Sequence, residues 1–125
     1  MTVQGILLLA HGSRDPLWRR PIEAVQAEIQ TRYPQHQVRC AYLELCPPTL
    51  EQAVDQLAAL GLQRIAIVPL FLGAGRHVRE QLPQTIRHLS HTHPRLTLTL
   101  AAPIGEHPRM VTLMAELASS NLIDD

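Results

Sequence analysis

Ile6-Leu7-Leu8-Leu9-Ala10-His11-Gly12-Ser13-Arg14 is the stretch on which the reading of this chain turns. Apolar residues run without a polar break and end on an imidazole, a glycine and a guanidinium. So short and continuous a run fits a strand buried on both faces, which is how parallel strands lie in α/β proteins. Such a strand delivers the residues after it to the carboxyl edge of the sheet, where open α/β folds keep their ligands. The chain makes the same move again at Ile65-Ala66-Ile67-Val68-Pro69-Leu70-Phe71-Leu72-Gly73-Ala74-Gly75-Arg76-His77. Two strand ends each lead to a histidine.

Working outward, short β-rich runs alternate with longer stretches of helical period, the pattern of βαβ units. Strands are predicted over residues 5–10, 37–43, 64–70 and 96–101. The first helix is predicted over residues 17–33, with Ile22, Val25, Ile29 and Tyr33 on one inward face and Pro34 as its stop. The second opens at Thr49, whose spacing to Gln52 is that of a capping box, and stops at Gly61. Pro83 is expected to split the third into a turn over 78–82 and a helix starting at the proline itself. The last is predicted over 108–121 with Val111, Met114, Ala115 and Leu117 or Ala118 facing in. Right-handed crossovers make all strands parallel. The expected fold class is therefore α/β: a three-layer sandwich in which a four-stranded parallel sheet carries helices on both faces, as one domain over residues 1–125. One rim of that sheet then gathers His11, Ser13 and Arg14, Glu44 and Cys46, Arg76 and His77, and Gly105, Glu106 and His107.

Composition narrows the class of partner. Eleven basic residues, all arginine, balance eleven acidic ones, so there is no long-range positive field to hold nucleic acid or an anionic membrane. No apolar run approaches the roughly 18 residues of a membrane helix. Cys40 and Cys46 show no C-x-x-C spacing and offer no disulfide framework, which points to a reducing cytoplasm. A small-molecule ligand is the expectation, and at 125 residues a cleft between two lobes would need a second copy.

His11 and His77 can approach one metal ion as neutral imidazole donors if their strands are neighbours. Glu44 ends an extended apolar run, a place where a carboxylate either pairs with an arginine or accepts a proton. Arg14, Arg19, Arg20, Arg76 and Arg79 surround the two histidine loops and suit carboxylates or phosphates, although Arg19 and Arg20 also fit a solvated helix face. Gly73 lets the backbone approach a ligand or turn sharply. Phe71 and Trp18 are the aromatics placed nearest the rim. His88, His91 and His93 form a second group without an adjacent acid or cysteine, and a loop role fits them better than a metal.

These residues resemble a known family, the class II tetrapyrrole metal chelatases, and within it the short CbiX-type sirohydrochlorin cobaltochelatases. The resemblance rests on Leu-Ala-His-Gly-Ser-Arg at 9–14, Glu-Leu-Cys-Pro-Pro-Thr-Leu at 44–50 and Pro-Leu-Phe-Leu-Gly-Ala-Gly-Arg-His-Val-Arg-Glu at 69–80. It implies a single flavodoxin-like chelatase lobe, His11 and His77 as ligands of the incoming metal, Glu44 facing the macrocycle, and a homodimer that builds a shared cleft. It implies catalytic roles for His11, Glu44 and His77. Ser13, Arg14, Phe71, Leu72, Gly73 and Arg76 are the expected substrate-binding residues. The substrates implied are a divalent metal, Co2+ first with Ni2+ or Fe2+ as alternatives, and the tetrapyrrole; no cofactor is expected to stay bound. Relatives carry an acid where Gln81 stands, and Glu80 is the candidate to replace it. Two other readings compete: a non-catalytic histidine-based metal carrier, and a small hydrolase using His11, Ser13 and Arg14, which lacks a nucleophile elbow.

Overall fold

The apolar run at the head of the chain forms the middle of the sheet. In the computed structural model, which describes residues 3–123, strand β1 (Gly5–Ala10) pairs in parallel with β2 (Gln37–Tyr42) on one side and β3 (Arg64–Pro69) on the other. Strand β4 (Thr97–Leu100) adds outside β3, giving the order β2-β1-β3-β4. Register sets Leu9 between Ala41 and Pro69, so β1 and β3 end side by side. Helix α1 (Arg20–Arg32) carries the chain from β1 outward to β2, and α2 (Leu50–Ala59) carries it back across to β3. The winding direction therefore reverses between β1 and β3, and the crevice outside their carboxyl ends is the place where such sheets bind ligands.

The two faces of the sheet are covered unequally. On one, Leu7, Leu9, Ile65 and Ile67 meet Ala53, Val54 and Leu57 of α2 and Leu82, Ile86 and Leu89 of α3 (Arg76–Thr92) in a continuous buried core. On the other, Leu8, Ala10, Val38, Cys40 and Tyr42 pack against Ile22 and Ile29 of α1. Val25 and Tyr33, expected to face inward from α1, are exposed, and α1 contains no buried residue.

Thr49 caps α2 as its spacing predicts: its side chain accepts from the Gln52 N–H, and the Gln52 side chain accepts from the Thr49 N–H. Pro83 does not break α3, contrary to the sequence expectation; the helix runs through it. An interior proline costs about 3 kcal/mol, whereas each buried Leu or Ile stabilises by about 1.5–3 kcal/mol. Leu82, Ile86 and Leu89, at helical spacing around the proline, together outweigh it. Helix α4 (Pro108–Ser119) forms where expected but does not dock as expected. Val111, Ala115, Leu117 and Ala118 are exposed and Met114 is half-buried, because α4 packs chiefly on the 3-10 turn Ile104–Glu106 before it. Among the described residues, no helix is long and apolar enough to cross a membrane.

Candidate functional site

At the carboxyl end of β1 the chain must turn sharply while staying beside β2. Gly12 makes this possible with φ +105°, and a Cβ there would overlap the Glu44 carbonyl. Two backbone bonds extend the pairing beyond the sheet: Leu43 N–H donates to Ala10 O and Glu44 N–H donates to His11 O, both at 3.0 Å. His11 and Glu44 are thereby brought to one place by main-chain geometry. Leu45, next in the chain, adopts φ 68°, a left-handed conformation that costs a non-glycine residue about 1–3 kcal/mol. The Cys46 N–H, bonded to Glu44 O at 2.9 Å, closes that turn.

The β3 side is built to match. Leu70 N–H donates to Leu9 O at 2.7 Å, and Phe71 lies beneath His11 with ring centroids 4.5 Å apart and planes 29° from parallel. Phe71 is only 3% exposed, and its ring supports the imidazole from the core. Gly105 closes from the far side: its N–H donates to Phe71 O at 2.9 Å, and a Cβ on it would overlap the Leu72 backbone. The loop then enters α3 through Gly75, and Arg79 ties the entry down through its Nη1 to Ala74 O at 3.1 Å. His77 falls in the first turn.

These ends enclose a cavity of about 530 Å³. His11 and Glu44, from two loops, and His77, from the first turn of α3, all line it, as do Glu51, Gln81 and Thr85. Its walls are the first turn of α2 and α3 from His77 to Thr85. Among the described residues, no three His, Cys, Asp or Glu side chains sit close enough to cage an ion. Two imidazoles and an open mouth suit capture and release better than permanent storage. A larger groove, about 700 Å³, lies along the free edge of β2, but it contains neither histidine and mixes Arg19 and Arg39 with Glu23 and Asp55. Tyr42 borders both spaces. Burial, reinforced by nearby Cys40, Cys46 and Glu23 and opposed by Arg19, pushes its phenol up to about 12. Burial likewise raises the Cys40 thiol, partly offset by its hydrogen bond with Tyr42. Both groups stay protonated and are structural here.

Other expected site residues lie outside this cavity. Ser13 Oγ accepts from the Asp15 N–H, and Asp15 in turn caps the 3-10 turn Pro16–Arg19, so both shape the loop. Arg14 and Gly73 are exposed, and Leu72 is 73% exposed. Arg76 is paired with Glu80 at 3.0 Å on the outer surface of α3. Gln81 lines the cavity, whereas Glu80, the candidate for the acid absent there, is not among the lining residues. His107 Nδ1 accepts from the Arg109 N–H as the cap of α4, and His93 bonds Asp55 at 2.7 Å, fastening the end of α3 to α2. Glu51 and Thr85 carry no signal in the sequence, since their approach depends on where α2 and α3 begin relative to the strand ends.

Residues 5–121 match the CbiX family. The chain belongs to that family. Among similar proteins, this CbiX-family chain is 27% identical over 122 residues to the sirohydrochlorin cobaltochelatase of Methanococcoides burtonii, covering 91% of this chain and 93% of the relative. A crystal structure described as a cobalamin-biosynthesis CbiX protein from Marinobacter aquaeolei VT8 superposes with TM-score 0.80 and 34% identity, over 94% of this chain and 95% of that one. The sirohydrochlorin chelatase SirB from Bacillus subtilis subspecies spizizenii, solved with cobalt, shares the fold at TM-score 0.80 and 24% identity; the match takes in 96% of this chain but 51% of SirB.

Proposed function

We propose that this CbiX-family protein is a chelatase that inserts a divalent metal into sirohydrochlorin, with Co2+ as the first candidate and Ni2+ or Fe2+ as alternatives. The observation that carries this reading is one cavity at the β1–β3 reversal point lined by His11, Glu44 and His77. The family membership and the names of the relatives agree with it. In the proposed reaction His11 and His77 hold the metal, which is a substrate and not a resident cofactor. Two imidazoles leave coordination positions open for ring nitrogens, and Glu44 takes a proton from a pyrrole N–H. The exposed Leu72, with Ser13, Arg14, Gly73 and Arg76 outside the cavity, would meet the periphery of the ring, the arginines through its carboxylates.

The active unit is proposed to be a homodimer of single lobes spanning residues 1–125. A wide, flat ring cannot be enclosed by one open cavity, and α4 leaves Val111, Leu113 and Leu117 exposed. The free thiols of Cys40 and Cys46 fit a reducing cytoplasm.

An anaerobic assay that follows the absorbance of sirohydrochlorin with each ion tests the activity. Wild-type protein should accelerate insertion, and His11→Ala and His77→Ala should each lower the rate by about 100-fold or more while keeping native circular dichroism. No acceleration with any of the three ions would end the proposal. Metal binding without any spectral response of the ring would favour the carrier reading instead. A strictly monomeric active protein by sedimentation would remove the shared cleft.

A further inference from the structure

Metal insertion releases two protons from the ring for each ion that enters. Among the ionisable groups lining the cavity, His11 and His77 are engaged with the metal in the proposed reaction and the Tyr42 phenol already holds its proton, which leaves two carboxylates, Glu44 and Glu51. Resting on the chelatase reading, we propose that Glu51 is the second proton acceptor, taking the proton that Glu44 cannot.

Glu51 stands in the first turn of α2, and that turn is held from several sides. Leu50, beside it, is buried in the core, and the Thr49–Gln52 capping box fixes the helix start. Thr49 bridges to Tyr42 at the end of β2, and Tyr42 N–H donates to Pro48 O at 2.9 Å. The backbone carrying Glu51 is thus tied to the same strand end that carries Glu44. Among the described residues, the ion pairs are Arg32–Glu28, Arg76–Glu80 and His93–Asp55, so no arginine neutralises Glu51. It is also exposed, so a proton it accepts can pass on to water.

The step balances without any redox partner. Each of the two pyrrole N–H bonds breaks, one proton goes to the Glu44 carboxylate and one to that of Glu51. Each nitrogen turns its electron pair to the metal, which remains divalent throughout. Positioned acid–base groups contribute about 100-fold to 10,000-fold to a rate. With Glu44 still present and solvent able to take the second proton slowly, loss of Glu51 falls at the low end.

The test is Glu51→Gln in the full chain. Turnover of Co2+ insertion should fall by about 100-fold. The Kd for Co2+ alone, the Kd for sirohydrochlorin alone by absorbance titration, and both KM values should stay within about twofold, a pattern expected when only transition-state stabilisation is lost. Glu51→Asp should recover part of the turnover, and added formate should partly rescue Glu51→Ala, which a merely structural role would not allow. Unchanged turnover in Glu51→Gln overturns this inference while leaving the chelatase reading intact. So does a loss confined to metal or ring binding. Wild-type protein that inserts no metal overturns both.

Discussion

Two of the four helices sink buried side chains into the core and two do not. Where α2 and α3 cover the strands, the core is continuous and their inward positions are buried, whereas neither α1 nor α4 contains a buried residue. The closed face supplies the rigidity: Phe71 beneath His11, Leu50 beside Glu51 and Leu82 on the helix that carries His77 all belong to its core. A site built this way inherits the precision of packed elements, while the exchange of metal and ring is left to the open mouth. Exposed apolar positions on α4 fit the proposal that a second copy completes the molecule, since they would otherwise face water.

Substitutions can break this contrast. The largest effect is expected for Leu57→Ala, wholly buried on the α2 face, which should cost about 2–5 kcal/mol by urea unfolding. Next comes Gly12→Ala at the joint between β1 and β2, where the added Cβ meets the Glu44 carbonyl in a left-handed backbone. Strain of about 1–3 kcal/mol should appear in the same unfolding measurement, and insertion activity should fall further than stability, because His11 and Glu44 move apart. A smaller, pH-dependent effect belongs to Tyr42. The folded protein holds its proton more tightly than the unfolded chain does, so the stability it contributes is complete below pH 10 and is lost as the pH rises toward about 12. Thermal midpoints tracked across that window should decline less steeply in Tyr42→Phe than in wild type. Least affected should be Leu117→Ala on α4, within about 0.5 kcal/mol when measured at concentrations where the protein is monomeric. Equal losses from Leu57→Ala and Leu117→Ala would show that the docked α2 and the exposed α4 do not differ as described.

Local rules explain which parts of this arrangement are legible in the residues. The strands, their parallel sense and the start of α2 come from short apolar runs, crossover handedness and the Thr49–Gln52 spacing, all properties of neighbouring residues. The same holds for His11 and His77, since a buried strand can present the residues beyond its end only at its own rim. Pro83 misleads because its cost is local while the burial that overrides it comes from the sheet. The inward face expected of α4 is not realised for the converse reason: periodicity shows that a helix has an apolar side but not what covers it.

By itself, then, the order of residues determined the layers, the strand directions and the three side chains proposed for the chemistry. Only the tertiary structure decided that Phe71 supports His11 from below, that Glu80 pairs with Arg76 outside the cavity, and that Glu51 joins Glu44 in the cavity. Secondary structure answers to contacts a few residues apart, whereas the meeting of separate loops depends on how helices and strands pack, and that is a property of the whole core.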